Sequence, residues 1–359
     1  MANSMLELAS HSGGQHRRES RACCLPAVRC HVTKQQSEYL FVVGLGYTGR
    51  AISSTTRKSG WIVSGTCRGM EQQEKLTAQG LHAIPVDDGC LDSKEMLAIL
   101  KKATHLLCTI PPSKLDNEVV ELLAASAPSL EHLKWVGYLS TTSVYGDWRG
   151  DWVDESCTIR PSSEKAKQRA ETEAAWLSLH QQHKLPVHCF RLGGIYGPGR
   201  SALDAAQQQG VASASQKRRS LQQYTARCHV YDICKALTAS MHQPCPGSIY
   251  NVTDDNPANR AEVMAFAARL LKSSSDAAVG TKRSADWQEC MSEGICCRSA
   301  ALQEVGPKCK KGSPSSLRKP AEKRVSNHKI KAELGLTWDF PSYVEGLSAI
   351  HAGDMRPFD

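Results

Sequence analysis

Apolar residues recur along this chain in short blocks separated by amphipathic stretches. Runs of strand length lie at 39–43, 61–64, 83–86, 105–110, 135–139 and 187–192. Between them, 71–79, 94–101 and 117–125 carry apolar positions at helical spacing. Strands alternating with helices predict an α/β fold with a doubly wound parallel sheet. Residues 259–271 predict a further helix, with Asn259 and Glu262 spaced as a capping box and Val263, Phe266, Ala267, Leu270 and Leu271 on one face. From 272 to 320 the periodicity disappears and Ser, Lys, Gly and Pro accumulate, which predicts a flexible insertion. Order is expected again from Val325, with Gly335 ending a short helix.

The first apolar run leads into Gly44, Gly46 and Gly49, and these lead into a helix-like stretch. A glycine triplet between strand and helix is the turn that receives a dinucleotide. The first allows a tight turn, the second lets backbone approach a pyrophosphate, and the third lets the helix pack close to the strand. Tyr47 and Thr48, inside the triplet, belong to the same candidate site. The second strand ends in Ser-Gly-Thr-Cys-Arg-Gly, with no acid to bond ribose hydroxyls. Arg68 stands there instead and suits a 2′-phosphate, with the Thr66 hydroxyl nearby, so NADP(H) is expected over NAD(H). A solvated loop arginine is the alternative. Asp87 or Asp88, after the third strand, is the candidate for the adenine amino group.

The 359 residues carry a net charge of +8, unevenly spread. Residues 1–37 hold five Lys/Arg against two Asp/Glu, and 271–330 hold twelve against six, which leaves the rest about neutral. A basic excess confined to aperiodic segments argues against a nucleic-acid partner. No apolar run reaches the roughly 20 residues that span a bilayer, so no membrane partner is expected. The 15 Cys follow no regular framework, which fits a reducing compartment. Cys290, Cys296, Cys297 and Cys309 lack a paired C-x-x-C, so no metal is expected. Residues 1–37 are Arg- and Ser-rich and acid-poor, which fits a transit peptide for the chloroplast or another organelle. A plain disordered tail on a cytoplasmic protein is the alternative, because Glu7 and Glu19 depart from the transit pattern.

Several motifs add to this. The run Tyr138 to Asp147 (YLSTTSVYGD) resembles the fifth strand and active-site loop of the extended short-chain dehydrogenase/reductases, the NAD-dependent epimerase/dehydratase family. Arg191 to Asp204 resembles its substrate-side loop, Arg227 to Ile233 its R-x-H-V-x-D motif, and Tyr250 to Pro257 the strand that follows. The stretch from Arg324 resembles the family's closing element. The resemblance implies a Rossmann domain over 38–195, rejoined by 225–252. It also implies a smaller substrate lobe from 196–224 and 253–359, with a small-molecule substrate between them. A homodimer is a further implication.

Family members carry a Tyr and a Lys four residues apart on the helix after this loop, and a Ser or Thr on the preceding strand. The Tyr moves a proton, and the Lys holds the nicotinamide ribose and lowers the Tyr pKa. Aligning Lys167 with that Lys places Ser163 where the Tyr belongs and Glu171 one turn beyond. A serine hydroxyl is too weakly acidic to serve. The catalytic candidates are then Thr141, Tyr145 as surrogate acid, and Lys167, with Lys167 also binding cofactor. Tyr196 and His229 are secondary, His229 and Asp232 reading better as structural groups. Arg200 and Arg227 are candidates for an anionic substrate group. Three functions remain open: an NADP(H)-dependent oxidoreductase, a non-catalytic NADP(H) sensor or scaffold, and a nucleotide-sugar epimerase or dehydratase.

Overall fold

The computed structural model describes residues 37–86, 92–207, 222–278 and 321–359. The chain runs β1 (Tyr39–Val43), α1 (Tyr47–Lys58), β2 (Ile62–Arg68), α2 (Gly69–Ala78), β3 (His82–Val86), α3 (Ser93–Leu100), β4 (His105–Cys108), α4 (Lys114–Ser126) and β5 (Trp135–Thr141). A 3-10 turn (Thr142–Tyr145) and β6 (Trp152–Val153) precede α5 (Glu164–His183), β7 (Val187–Leu192), β8 (Gly194–Tyr196) and α6 (Ala202–Gln207). Then come β9 (Arg227–His229), α7 (Val230–His242), β10 (Ile249–Val252), α8 (Arg260–Ala278), β11 (Arg324–Val325), α9 (His328–Leu334) and α10 (Tyr343–His351).

Seven parallel strands form one sheet in the order β10-β7-β5-β4-β1-β2-β3. Alternate side chains of β1 show why both faces must be covered. Leu40 and Val42 enter one apolar layer with Ala51 and Ile52 of α1 and Ile233 and Leu237 of α7. Phe41 and Val43 enter the other, with Val119 and Leu123 of α4 and Trp176 of α5. The sheet order reverses between β2–β1 and β1–β4, so the crevice at the carboxyl end of β1 is a topological switch point, the place where open α/β sheets bind ligands.

A separate apolar cluster joins Tyr196, Leu203, Val263, Ala267, Tyr343 and Leu347 from the expected substrate lobe. Half of the expected capping box forms at α8. Asn259 Oδ1 accepts the Glu262 N–H at 2.8 Å, while the Glu262 carboxylate accepts instead from the Tyr343 hydroxyl at 2.7 Å. The helix continues beyond Leu271 to Ala278, so the first part of the expected insertion is helical. The remainder of that insertion, and the expected leader but for Ser37, lie outside the described residues, as do Cys290, Cys296, Cys297 and Cys309. Among the described residues no helix is long and apolar enough to cross a membrane.

Where description resumes, the chain ties down the loop after β5. The Glu322 carbonyl accepts from Trp148 N–H at 2.8 Å and Gly150 N–H at 3.2 Å. Its carboxylate accepts from Gln223 N–H and Tyr224 N–H, and Asp147 accepts from Glu322 N–H at 2.9 Å. β11 pairs in parallel with β6 beside this contact.

Candidate functional site

At the switch point the glycine triplet divides its work. Gly44 has φ +101°, and a Cβ there would lie 2.5 Å from Ile110 Cγ2. A Cβ on Gly49 would lie 2.1 Å from the Gly44 carbonyl oxygen, so only glycine lets α1 sit this close to β1. A Cβ on Gly46 would meet nothing within 4 Å, because that face of the turn is open. The turn is held from both sides. Gly44 N–H donates to Thr66 Oγ1 at 2.9 Å, and Thr109 Oγ1 donates to the Gly44 carbonyl at 2.6 Å. Gly46 caps α1 without a side-chain bond, and the first turn of α1 has no acid. The leading N–H groups of Tyr47, Thr48 and Gly49 therefore present partial positive charge to the open crevice.

The neighbouring side chains depart in part from expectation. Thr66 is buried at 2% exposure and its hydroxyl serves Gly44, so it braces the turn and does not face a ribose. Tyr47 donates its hydroxyl to the Pro198 carbonyl at 3.1 Å, linking the turn to the substrate-side loop. Thr48 is buried in the first turn. Arg68, the last residue of β2, is exposed, and its side chain makes no hydrogen bond or ion pair among the described residues; the first acid after it, Glu71, is paired with Lys75. Asp87 and Asp88 lie outside the described residues.

On the other side of the crevice, Thr141 ends β5 and is half-buried. Its Oγ1 accepts from Ser143 N–H at 3.2 Å, which leaves the hydroxyl proton available. Tyr145 does not face the cleft. It is 0% exposed, donates to Asn251 Oδ1 at 2.8 Å and accepts from the Arg191 guanidinium at 2.9 Å. Burial pushes its phenol up to about 12. Arg191 in turn holds Glu173 at 2.5 Å, and Glu173 accepts from Ser140 at 2.6 Å. This closed network under the edge of β5, β7 and β10 already uses the Tyr145 hydroxyl twice, and we withdraw it as surrogate acid.

Ser163 is the residue that caps α5, with extended φ and ψ and its Oγ accepting from Ala166 N–H at 3.3 Å. It therefore stands outside the helix. Lys167 points away from the sheet. Its side chain is 57% exposed, its nearest acid is Glu164 at 3.8 Å, and Glu171 and Ala174 continue the same exposed face. The stripe that faces the sheet is Arg169, Thr172 and Trp176, and Lys165, one turn before Arg169, is exposed. Arg169 Nη1 donates to the Tyr138 hydroxyl at 3.1 Å, the Leu139 carbonyl at 3.3 Å and the Ile110 carbonyl at 3.4 Å. The cation at the carboxyl ends of β4 and β5 is thus Arg169, which the sequence reading passed over. The signal lay in the i, i+4 spacing of Lys165, Arg169 and Glu173.

Comparison with known proteins places this architecture. Residues 116–253 match the family described as NAD dependent epimerase/dehydratase. A functionally unknown conserved protein from Silicibacter pomeroyi DSS has 31% identity and a TM-score of 0.66, covering 89% of this chain and 100% of its own. The chain belongs to the NAD dependent epimerase/dehydratase family. Protein YeeZ of Escherichia coli K12 is 27% identical over 223 residues, 59% of this chain and 76% of YeeZ. The dTDP-glucose 4,6-dehydratase of Bacillus anthracis str. Ames, solved in complex with NAD, shares 14% identity with a TM-score of 0.61, over 88% of this chain and 96% of its own, and shows the fold alone. Family membership carries the expectation of a nicotinamide dinucleotide and a small-molecule ligand.

The remaining family motifs are structural here. The Tyr196 hydroxyl donates to the Ser342 carbonyl at 3.1 Å. His229 Nδ1 accepts from Tyr231 N–H, and burial lowers its pKa to about 4, so the ring is neutral. The Asp232 carboxylate accepts from Asp339 N–H at 2.9 Å and Phe340 N–H at 3.0 Å and fastens the C-terminal segment to α7.

Proposed function

We propose that the chain is an NADP(H)-dependent oxidoreductase of the extended short-chain dehydrogenase/reductase type, acting on a carbonyl or alcohol carbon of a small molecule. The observation that carries this reading is the glycine turn at the switch point, closed at Gly44 and Gly49 and open at Gly46. A bound nicotinamide dinucleotide supplies or accepts the hydride. The N–H groups of the first turn of α1 hold the pyrophosphate, and Arg68 pairs with the 2′-phosphate. At the strand ends the Thr141 hydroxyl and the Arg169 guanidinium orient the reacting oxygen and the ribose. Lys165 lies one turn nearer the start of α5 than Arg169, four residues before it, and is exposed; it is the group proposed to move the proton. The Arg- and Ser-rich leader supports an organellar address.

A non-catalytic NADP(H) sensor is the second reading, favoured by Ser163 capping α5 where a tyrosine would act. One experiment separates the two. The full chain is titrated with NADPH, NADP, NADH and NAD, and nicotinamide absorbance is followed with a panel of carbonyls and alcohols. Turnover that falls at least about tenfold in Arg169→Met and Lys165→Met with NADPH affinity retained supports the oxidoreductase. Tight NADPH binding without turnover on any substrate supports the sensor. Absence of dinucleotide binding removes both.

A further inference from the structure

A cavity of about 190 Å³ opens beside the substrate-side loop, lined by no residue of the glycine turn itself. Three separate elements bring an arginine to its wall: Arg200 from the loop after β8, Arg227 from β9 and Arg260 from the first turn of α8. Ile195, Val263 and Leu347 supply an apolar side, and no described carboxylate lines it. None of the three arginines forms a salt bridge among the described residues. Two nearby acids are engaged elsewhere: Asp204 accepts from Ser201 N–H and Oγ, and Glu262 accepts from the Tyr343 hydroxyl. Asp254 is the acid beside Arg227 and accepts its backbone N–H at 3.4 Å, and burial pushes the Asp254 carboxyl well up, toward the neutral form.

Arg227 is the best fixed of the three. Its Nη1 donates to the Thr225 carbonyl at 2.8 Å and the Ala258 carbonyl at 2.6 Å, and burial lowers its pKa against the opposing pull of Asp254. Arg200 also lies 5.3 Å over the ring of Tyr47, so the cavity is next to the residue that opens α1. A carboxylate is satisfied by one guanidinium fork. Three arginines carried to one wall by three different elements suit the three outer oxygens and double charge of a phosphate ester. The volume is below the roughly 300–1,000 Å³ of pockets that enclose drug-sized ligands, which favours a ligand smaller than a nucleotide sugar.

We infer that this cavity binds a small organic phosphate monoester, its phosphate between Arg200, Arg227 and Arg260 and its short carbon skeleton on the apolar side. As a substrate assignment this rests on the oxidoreductase reading; as a binding site it does not. Calorimetric titration of the full chain, with and without NADPH, uses glycerol 3-phosphate, inorganic phosphate, glycerol, succinate and UDP-glucose as probes. Glycerol 3-phosphate is expected to bind most tightly and to weaken with added salt, with glycerol silent. Arg200→Gln and Arg260→Gln, which leave the Arg227 contacts in place, are each expected to weaken it at least about tenfold. Succinate or UDP-glucose binding as tightly as glycerol 3-phosphate overturns the inference, as does unchanged affinity in both variants. Loss of NADPH binding with phosphate-ester binding intact overturns only the oxidoreductase reading.

Discussion

Gly46 and Gly49 lie three residues apart, and substituting them should produce opposite effects. In Gly49→Ala the new Cβ falls 2.1 Å from the Gly44 oxygen, where ordinary contact begins at 3.4 Å, so α1 must retreat from β1 by about 1.3 Å. Ile52 and Ala51 of α1 are wholly buried against the sheet and cannot follow without opening the core. Overpacking of this kind costs about 1–3 kcal/mol, which at this chain length lowers Tm by roughly 1–4 °C. In Gly46→Val the side chain enters open space at φ −76°, ψ −160°, an extended conformation valine adopts freely. Only the better helix cap is lost, so Tm should fall by no more than about 1 °C. The same side chain fills the approach to the α1 N–H groups, so NADPH affinity should fall at least about tenfold, or 1.4 kcal/mol. Thermal melts and fluorescence titration of NADPH read both effects. Wild-type affinity in a folded Gly46→Val protein refutes the pyrophosphate path, and wild-type stability in Gly49→Ala refutes the packing argument.

Arg68→Ala should weaken NADPH and leave NADH nearly unchanged; an equal loss for both would show that the guanidinium does not read the 2′-phosphate. Tyr145→Phe should cost about 1–3 kcal/mol in urea melts, because Arg191 and Asn251 each lose a buried partner, while turnover stays near wild type; loss of turnover in a stable variant would restore Tyr145 to the chemistry. His188 should make the fold acid-sensitive. The ring is buried, its Nε2 accepts Cys245 N–H at 2.9 Å, and burial lowers its pKa to about 4 from 6.5. Between those values the unfolded chain takes a proton that the native ring refuses, so stability falls with pH across the window, by up to about 3 kcal/mol from this group. Urea melts at about pH 7 and pH 4.5 should show a smaller acid loss in His188→Gln than in wild type; equal losses would clear His188 of the effect.

The sheet was readable because strands buried on both faces write themselves as unbroken apolar runs. β1 and β7 have the bounds that their composition predicts. β2 runs past the predicted end at Ser64 because Gly65 and Thr66 interrupt the apolar run for reasons of contact. A Cβ on Gly65 would lie 2.3 Å from the Val42 oxygen, and Thr66 braces Gly44. β4 stops at Cys108, short of the predicted Ile110, because Thr109 turns to bind Gly44. The glycine turn is local, so its spacing carried its geometry. The opposite wall is not local. Whether Tyr145 faces in or out depends on Arg191 and Asn251, 46 and 106 residues away. Which lysine or arginine of α5 faces the sheet depends on where the helix is capped, and the Ser163 cap turns Lys167 outward and Arg169 inward.

The clamp by Glu322 bears on the order in which this protein is assembled. The glycine turn and its braces, Thr66 and Thr109, are complete once the first four strands exist. The loop after β5 waits for partners 175 residues further along the chain. At synthesis rates of about 5–20 residues per second, that separation lasts roughly ten seconds or more, during which the loop has no Glu322 to hold it. A nascent chain can therefore offer a finished dinucleotide turn before it has a finished substrate side. In a variant that keeps the C-terminal core but lacks the carboxylate of the clamp, Glu322→Ala, the loop at Trp148 and Gly150 should open to protease more readily while dinucleotide binding is retained.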